Sequence, residues 1–329
     1  MKSKNTNLHA AKTAKNDEFY TQLEDVSREL KEYREHFKGK VVLCNCDDPT
    51  WSAFWRYFHL KFNDLGLKKL ISTHYDKTEP TYKMEYCGED DNNIEVGTKT
   101  PLQGNGDFRN QECLDLLNEA DIVVTNPPFS MYREYIATLV EHNKKFLVIG
   151  NKNSITYKEI FPLLKENQMW PGYTNVKEFI QPDGTIKKFG NIGWFTNLDI
   201  KKRHEEIILW KQFNQNDFPM YDNYAAWNVN KVAEIPVEDE FVVDVNEEIS
   251  GRLQSTYESD FELLEHNEET NLYKVKITRP VMGVPITFLD SYNPEQFKIV
   301  GNEYSLDIPK GRGYVNNKRM YSRIFIKRK

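Results

Sequence analysis

The segment Asn-Pro-Pro-Phe at residues 126–129 has the clearest chemical capacity in this chain. Pro127 and Pro128 fix two consecutive φ angles and have no N–H group. The polar atoms that remain are acceptors, the Asn126 side-chain oxygen and the Pro127 carbonyl, and the Phe129 ring lies two residues beyond. Two fixed acceptors beside an aromatic ring suit a planar amino group attached to a π system. The turn therefore predicts chemistry on an amino group, although Asn-Pro-Pro in an arbitrary loop is more often a plain strand-ending turn.

The sequence around this turn indicates how it is held. It follows the apolar, β-branched segment Ile-Val-Val at residues 122–124, which predicts a buried parallel strand that ends at the carboxyl edge of a sheet, where ligands bind. Strand and helix patterns alternate in this half of the chain and predict an α/β fold with a Rossmann-like doubly wound sheet. The predicted strands are 41–46, 69–75, 121–125 and 145–150, and the predicted helices are 52–60, 110–119 and 132–142.

Two further elements are predicted outside this alternation. Thr-Gln-Leu-Glu at residues 21–24 is a capping-box pattern at the start of a helix that Gly39 ends. Later in the chain, turn signals at residues 171–172 and 182–184 frame a hairpin that continues through residues 190–197.

The domain organisation is predicted from changes in composition. A fully polar segment at residues 201–206 places a boundary near residue 200. The predicted regions are a basic flexible arm at residues 1–16, a first domain at residues 17–200 and a smaller, mixed C-terminal lobe at residues 201–329.

The composition excludes several classes of protein. The chain has 329 residues with 39% apolar and 13% aromatic content, which is enough for a sizeable core. No apolar run approaches the roughly 18 residues that a membrane span needs, and the first sixteen residues lack a signal-peptide core. The four cysteines show no metal-ligand spacing. We therefore expect a cytoplasmic, monomeric protein without a bound metal, a disulfide or a membrane partner.

The charge is distributed unevenly along the chain. The formal net charge of −6 argues against a uniformly basic nucleic-acid binder, but the last twenty residues carry eight Lys or Arg residues and no acid. This pattern fits a solvated tail and a folded basic strand that contacts phosphates equally well. In a folded strand, the predicted phosphate contacts are Arg319, Arg323 and Lys327.

Carboxylates follow the predicted strands near the same sheet edge. Asp47 or Asp48, Asp76 and Asp107 could accept hydrogen bonds from an ammonium group, a ribose diol and an adenine amino group, the three polar parts of S-adenosylmethionine. Phe108 could stack on the adenine of that cofactor. Each acid alone would indicate only a turn or a helix cap. A dinucleotide-binding loop of the Gly-x-Gly-x-x-Gly type is absent after the first strand.

At this point the chain resembles a known family, the EcoRI modification methylase family of adenine-specific, S-adenosylmethionine-dependent DNA methyltransferases. The Asn-Pro-Pro-Phe turn is typical of amino-methylating enzymes, and Cys-Asn-Cys-Asp-Asp-Pro at residues 44–49 indicates this family. The other matching segments are Asn-Asp-Glu-Phe-Tyr-Thr at residues 16–21, Gly-Asp-Phe at 106–108, Gly-Trp-Phe-Thr at 193–196 and Gly-Val-Pro-Ile-Thr-Phe at 283–288.

The resemblance implies a function for each region. Residues 17–200 would form the S-adenosylmethionine-dependent catalytic domain with a methyltransferase sheet, and residues 201–329 would recognise double-stranded DNA. The implied catalytic residues are Asn126, Pro127, Pro128 and Phe129. The implied cofactor-binding residues are Phe19, Tyr20, Thr21, Asn45, Asp47, Asp48, Pro49, Asp76, Asp107 and Phe108.

The resemblance also implies that the target adenine is flipped out of the duplex. Trp194 and Phe195 are candidates for stacking on the flipped base, and packing in the hairpin core is an equally good reading of either ring. The family pattern departs at residues 45–48, where Asn-Cys-Asp-Asp replaces the usual Gly-rich cofactor loop. The residue among these that contacts the methionine moiety stays open.

Three alternative functions fit parts of the same pattern. Methylation of an RNA base or of a protein glutamine amide would use the same Asn-Pro-Pro turn. A non-catalytic DNA-binding protein on a methyltransferase scaffold would not need the turn or the three acids. The matching segments and the long aromatic C-terminal region favour a site-specific DNA adenine methyltransferase.

Overall fold

The structure is a computed structural model that describes residues 20–76, 79–181, 184–303 and 312–329. The chain divides into two compact units, one that extends to Ile200 and one that begins at Lys201. The predicted basic arm and the candidate residue Phe19 lie outside the described residues.

A nine-stranded mixed sheet forms the centre of the first unit. In chain order its strands are β1 (Tyr20–Thr21), β2 (Val41–Cys44), β3 (Lys69–His74), β4 (Tyr82–Tyr86), β5 (Thr98–Pro101), β6 (Ile122–Thr125), β7 (Lys145–Asn151), β8 (Trp170–Ile180) and β9 (Ile186–Thr196). Their order across the sheet is β1-β8-β9-β7-β6-β2-β3-β4-β5. The four central strands β7, β6, β2 and β3 are parallel neighbours, as the alternating pattern predicts. The outer strands pair antiparallel, so the sheet is not a purely parallel one.

Helices connect and cover these strands. They are α1 (Leu23–Leu30), α2 (Arg34–Phe37), α3 (Ala53–Leu60), α4 (Phe62–Leu65), α5 (Gln111–Glu119), α6 (Tyr132–Glu141) and α7 (Phe161–Lys165). All four residues of β2 and of β6 are buried, which explains why these short strands read as unbroken apolar runs. On one face, alternate residues such as Val42, Val124 and Ile149 share a core with Leu30 of α1 and Phe58 of α3. Helix α5 packs on β2, and α6 packs on β7.

The start of α1 differs from the predicted capping box. Gln22 is the residue that precedes the helix, and its side chain makes no capping hydrogen bond. Thr21 belongs to β1, where it pairs with Phe179 of β8. The capping-box prediction at Thr21 is therefore wrong, because strand pairing holds this segment in an extended conformation. Gly39 follows the helical segment with a φ of 71°, as predicted for the residue that ends it.

The predicted hairpin is present as β8 and β9, but only one of the two turn signals marks its turn. The backbone N–H of Gln181 donates to the carbonyl of Thr185, and that of Gly184 donates to the carbonyl of Gln181, which closes the connection between the strands. Pro171 and Gly172 lie inside β8, so the turn predicted there is wrong. Gly172 is required at this position for another reason, since a Cβ atom would lie 2.2 Å from Oε1 of Glu29.

Trp194 and Phe195 both lie in the core. Each has 0% of its surface exposed. The Trp194 ring contacts Phe54 of α3 at a centroid distance of 5.8 Å, and the Phe195 ring contacts Tyr132 of α6 at 6.0 Å. Of the two readings that the sequence leaves open, the structure supports packing in the hairpin core. A flipped base does not reach either ring in this arrangement, so stacking on Trp194 or Phe195 is not supported.

The second unit contains three smaller sheets and one longer helix, α8 (Glu247–Tyr257). The strands are β10 (Trp227–Asn228), β11 (Glu240–Val245), β12 (Phe261–Asn267), β13 (Leu272–Thr278), β14 (Met282–Pro285), β15 (Phe297–Asn302), β16 (Tyr314–Val315), β17 (Lys318–Arg319) and β18 (Arg323–Arg328). The sheet orders are β10-β14-β18-β15, β11-β13-β12 and β16-β17. Across the described part of the chain, no helix is long and apolar enough to span a membrane.

The position of Trp194 yields a stability prediction. Trp194→Ala should lower the free energy of unfolding by about 3–5 kcal/mol, because it removes a large ring from a packed core. Trp210→Ala is the matched control, since 63% of the Trp210 surface is exposed, and its effect should stay within about 0.5 kcal/mol. Urea denaturation of both variants measures the difference. Equally small effects would show that the Trp194 ring is not part of the core.

Candidate active site

The buried carboxylate of Asp47 joins the ends of two central strands. Asp47 lies in the loop after β2, and its Oδ2 accepts hydrogen bonds from the Thr125 hydroxyl at the end of β6 and from the backbone N–H of Asn126, the latter at 3.2 Å. Its Oδ1 accepts from the Ser52 hydroxyl at 3.1 Å. Burial raises the pKa of this carboxyl to about 7, although the three hydrogen bonds oppose the rise. Asp47 thus fixes the backbone at the first residue of the Asn-Pro-Pro-Phe turn.

The loop after β2 is also fixed to the end of β3 through Asp48. Oδ2 of Asp48 lies 2.5 Å from Nδ1 of His74, and Oδ1 accepts hydrogen bonds from the Thr50 hydroxyl at 2.7 Å and from the Tyr82 hydroxyl at 3.2 Å. Pro49 follows this network directly. The Asp48 carboxylate is therefore held by three neighbouring side chains.

The segment that carries Asp107 lies against the same strand end. Gly106 has a φ of 74°, and a Cβ atom there would lie 2.4 Å from the carbonyl oxygen of His74. The backbone N–H of Asp76 donates to the carbonyl of Asn105 at 3.2 Å. Only glycine permits this approach, so Gly106 brings the loop of Asp107 beside the loop of Asp76. The candidate acids Asp48, Asp76 and Asp107 thus lie in loops that contact one another.

Arg109 stabilises the negative charge of Asp107. The Asp107 carboxylate accepts from Nε of Arg109 at 2.8 Å and from Nη2 at 2.6 Å. Burial alone would raise the pKa of Asp107, but these hydrogen bonds outweigh it and the net shift is downward. Nη1 of Arg109 lies 3.4 Å from Glu134 of α6. Arg109 therefore connects this loop to the helix that follows the Asn-Pro-Pro-Phe turn.

Helix α6 makes two further contacts with the candidate cofactor residues. The Tyr135 hydroxyl donates to Oδ1 of Asn45, a buried residue in the loop after β2. Phe108 is also buried, and its ring meets the edge of Tyr135 at a centroid distance of 4.9 Å. Stacking of Phe108 on an adenine remains a prediction, since most of the ring already packs inside the protein.

Phe129 packs against the β8–β9 hairpin. Its ring lies 5.9 Å from that of Phe179 and 6.1 Å from that of Phe189, in edge-to-face geometry. Phe129 is only partly buried, Pro127 is buried, and the carbonyl of Pro128 accepts from the N–H of Met131 at 2.9 Å. These contacts hold the far end of the turn, as Asp47 holds its beginning.

The candidates at the start of the described chain lie near the loop after β2. The Tyr20 ring contacts the ring of Trp51 at a centroid distance of 3.9 Å. Thr21 is buried, and its hydroxyl has no hydrogen-bond partner among the described residues.

The structure divides the predicted phosphate contacts into exposed and internal residues. Arg323 has only 7% of its surface exposed, and its guanidinium lies 3.4 Å from the side-chain oxygens of Asn228 and Asn230. A phosphate contact by Arg323 is therefore not supported. Lys327 lies 3.8 Å from Asp260, which satisfies part of its charge internally. Arg319 is exposed in the hairpin of β16 and β17.

That hairpin is firmly attached to its own unit. Its turn residues Asn316 and Asn317 have φ values of 51° and 61°, which suit a two-residue turn of type I′. The Asp222 carboxylate accepts hydrogen bonds from both of their backbone N–H groups, at 3.1 and 2.8 Å. Lys318 and Arg319 are therefore exposed on a structured element.

The sequence pattern did not identify several residues that build this site. Thr125 and Ser52 fix Asp47, Arg109 holds Asp107, and His74 joins Asp48 to the loop of Gly106. The available signal was a polar residue at the end of an apolar strand, as at Thr125, or a cation two residues after a carboxylate, as at Arg109. Neither signal identifies the hydrogen-bond partner of the residue unless the order of the strands in the sheet is known.

A rigid acceptor turn at the end of one parallel strand, with carboxylates in the loops after its neighbours, fits an enzyme that binds ligands at this sheet edge and accepts hydrogen bonds from an amino group. The profile of the family described as "Adenine-specific methyltransferase EcoRI" matches residues 7–278 and 277–329 of this chain. The chain belongs to this family of adenine-specific methyltransferases, which confirms the resemblance seen in its motifs.

Three curated relatives match almost the whole chain. The Type II methyltransferase M.EcoRI of Escherichia coli is 39% identical over 98% of this chain and 96% of its own. M.MpnI of Mycoplasma pneumoniae is 36% identical, and M.MgeORF184P of Mycoplasma genitalium is 33% identical, each over 98% of both chains. No solved structure matches the chain significantly.

The Asp47 network predicts a specific dependence of stability on pH. Because its pKa is raised from 3.8 to about 7, the stabilising contribution of protonated Asp47 is fully present below 3.8 and is lost as the pH rises through about 7. Asp47→Asn should remove this loss. The stability of the variant relative to the wild type should therefore increase between about pH 4 and about pH 7 in urea denaturation.

Asp115→Asn, on the exposed surface of α5, is the control for this comparison. Its stability should follow that of the wild type at every pH. Parallel curves for Asp47→Asn and the wild type would contradict the raised pKa.

Proposed function

We propose that this protein is a site-specific DNA methyltransferase that transfers a methyl group from S-adenosylmethionine to the amino group of a flipped-out adenine. The observation that carries the proposal is the Asn-Pro-Pro-Phe turn, which is held at its beginning by Asp47 and at its end by Phe179 and Phe189. Membership of the adenine-specific methyltransferase family supports the choice of adenine. The names of the three Type II relatives support a DNA substrate.

The finer fold assignment follows from the same proposal. We assign residues 17–200 to a Rossmann-like, doubly wound methyltransferase domain whose central strands are parallel. We assign residues 201–329 to target recognition and DNA binding, and residues 1–16 to a basic arm. The exposed basic hairpin of β16 and β17 supports a DNA-binding role for the C-terminal lobe.

The residues at the sheet edge fit S-adenosylmethionine. Asp48, Asp76 and Asp107 bring three carboxylates into contacting loops, and Asp107 stays ionised beside Arg109. An ionised carboxylate accepts hydrogen bonds from amino and hydroxyl groups, and it attracts an ammonium group. The buried Thr21 hydroxyl, which has no partner among the described residues, offers a further hydrogen bond to a bound molecule.

Each candidate would hold a different part of the cofactor. We propose that Asp107 accepts from the adenine amino group of the cofactor, that Asp76 accepts from its ribose, and that Asp48 faces the methionine moiety. Asp47 is buried and accepts from the backbone N–H of Asn126, so we propose that it positions the acceptor turn. Among the described residues, no cluster of His, Cys, Asp and Glu side chains could hold a metal ion.

The turn would activate the target nitrogen by hydrogen bonding. S-adenosylmethionine supplies a methyl group on a positively charged sulfur, but the amino nitrogen of adenine is a poor nucleophile because its lone pair is delocalised into the ring. Hydrogen bonds from this amino group to the Asn126 oxygen and the Pro127 carbonyl favour a tetrahedral nitrogen with a localised lone pair. Fixed acceptors need little reorganisation during the reaction, so positioning supplies most of the rate.

The adenine must leave the duplex to reach this turn. Unpairing and unstacking cost a few kcal/mol, which contacts in the pocket must offset. Phe129 supports one face of the proposed pocket, because part of its ring remains exposed while the rest packs on Phe179 and Phe189. Since Trp194 and Phe195 lie in the core, the opposite face is formed by other residues.

One assay separates this function from its alternatives. Transfer of a tritiated methyl group from S-adenosylmethionine should label duplex DNA in preference to RNA and protein. Preferential labelling of RNA or of a protein glutamine would replace the proposed substrate. Absence of label in every substrate, with retained DNA binding, would favour a non-catalytic DNA-binding protein.

Asn126→Ala should abolish methylation while leaving the affinity for S-adenosylmethionine largely intact. The substitution removes only the side chain, and the backbone N–H that donates to Asp47 remains, so the loop should keep its shape. The methyl-transfer assay and calorimetric titration with the cofactor measure the two effects. An equal loss of cofactor affinity would refute the assignment of Asn126 to the target base.

Asp107→Asn is the matched comparison for this variant. It should weaken cofactor binding by about 1–3 kcal/mol, because an amide replaces an ionised acceptor in a partly buried site. An unchanged affinity for the cofactor in calorimetry would show that Asp107 does not bind the adenine of the cofactor.

Lys318→Gln with Arg319→Gln should weaken binding to cognate and random duplexes alike. Each cation that leaves a phosphate contact should lower the slope of log affinity against log salt by about one. Lys38→Gln with Lys68→Gln is the control, since both residues are exposed at the amino ends of β2 and β3. Fluorescence anisotropy with labelled duplexes over a range of salt concentrations measures the slopes. A change in sequence preference alone would indicate that the hairpin reads bases.

A further inference from the structure

The outer part of the β8–β9 hairpin extends beyond the end of β7, and its only further neighbour among the described strands is the two-residue strand β1. Strand β9 pairs with β7 only from Ile192 to Thr196, and Ile192 lies opposite Asn151, the last residue of β7. Residues 186–191 of β9 therefore continue past the carboxyl end of β7, together with the facing end of β8. We call this segment, residues 177–181 and 184–191, the arm. It is a different segment from the basic arm at residues 1–16.

The arm projects from the edge of the sheet that carries the active site. Strands β6 and β7 are parallel, so their carboxyl ends lie on the same side, and the Asn-Pro-Pro-Phe turn follows the end of β6. The rings of Phe179 and Phe189 belong to the arm and contact Phe129 directly. The arm therefore lies beside the Asn-Pro-Pro-Phe turn.

The surface of the arm combines apolar and positively charged side chains. Ile186 has 60% of its surface exposed and Ile180 has 37%, so both side chains place apolar surface on the arm. Lys177 is also exposed, and Lys188 is 80% exposed while it forms a 2.9 Å ion pair with Glu178. Proteins that insert an apolar side chain between DNA base steps combine that side chain with polar and basic residues, and the arm carries both apolar and basic side chains.

We propose that the arm binds the DNA duplex beside the flipped adenine, with Ile186 against the base stack and Lys177 and Lys188 near phosphates. This inference rests on the proposed function, because removal of the adenine from the duplex leaves the apolar faces of the neighbouring bases without a stacking partner. Ile186 covers part of that surface. The arm is thus a second DNA-binding element, built on the catalytic unit and distinct from the basic hairpin of β16 and β17.

Site-specific photocrosslinking tests the position of the arm. Ile186→p-benzoylphenylalanine in the full-length chain should form a covalent adduct with a labelled duplex that contains the methylation site, in the presence of S-adenosylhomocysteine. The matched control is Val140→p-benzoylphenylalanine, because Val140 is 42% exposed in the last turn of α6, near the opposite edge of the sheet. We expect an adduct at position 186 and little or none at position 140.

Equal yields at the two positions, or no adduct at position 186, would overturn the inference. Crosslinks at position 186 between two copies of the chain, in place of DNA adducts, would also overturn it and identify a second copy as the occupant. Methyl transfer by the unsubstituted chain separates the two proposals. If that chain labels DNA but position 186 gives no adduct, the arm inference alone fails, and if it labels no DNA, the proposed function fails as well.

A binding measurement provides the second test. Ile186→Ser with Lys188→Gln should raise the Kd for the cognate duplex about 5-fold or more, which corresponds to roughly 1 kcal/mol. Val140→Ser with Lys68→Gln makes the same chemical changes at the opposite edge and should leave the Kd unchanged. Cofactor affinity and the melting temperature should stay at wild-type values in both variants. An unchanged Kd for the arm variant would contradict the proposed contact.

Discussion

The arrangement of the active site depends on one buried carboxylate. Asp47 has no cation beside it among its hydrogen-bond partners, and the transfer of a carboxylate from water to a protein interior is costly. Three donors offset part of that cost, and the raised pKa records the part that remains. These hydrogen bonds join the loop after β2 to the loop after β6 at the residue where the acceptor turn begins. Burial of the Asp47 carboxylate therefore costs free energy at one position, while its hydrogen bonds position both the loop after β2 and the acceptor turn.

The parallel central strands explain why few side-chain contacts are needed to bring the loops of the proposed site together. Parallel neighbours end at the same edge, so the loops after β2, β3 and β6 are brought together by strand pairing alone. Specific contacts then set the relative positions of these loops. His74 contacts Asp48, Gly106 permits a close approach to the backbone of His74, and Arg109 reaches Glu134 on α6. Because α6 follows the acceptor turn directly, its contacts with Asn45 and Phe108 couple the two proposed binding sites without a flexible connection.

Local signals in the sequence were sufficient for the elements that position the site. The β-branched runs before Asn45 and Asn126 predicted buried parallel strands, and the turn chemistry of Pro127 and Pro128 predicted a rigid acceptor. The failures share a cause, since each depended on a partner far away in the sequence. Thr21 matched a capping box but pairs with Phe179, and Arg323 matched an exposed cation but contacts Asn228, 95 residues away. Periodicity reports which residues are buried, but it does not report which residues they are buried against.

The two carboxylates Asp47 and Asp107 show how environment separates residues of the same type. Asp47 is fully enclosed and accepts only from neutral donors, so its pKa rises to about 7. Asp107 is partly exposed and accepts from a guanidinium, so its pKa falls. An acid whose charge is stabilised by a fixed cation can accept hydrogen bonds from a neutral ligand without changing its protonation state near neutral pH. An acid that titrates near pH 7 is poorly suited to that task, but it can hold a backbone N–H and a hydroxyl in place. The opposite shifts are consistent with the roles proposed above, in which Asp107 binds a ligand and Asp47 positions the acceptor turn.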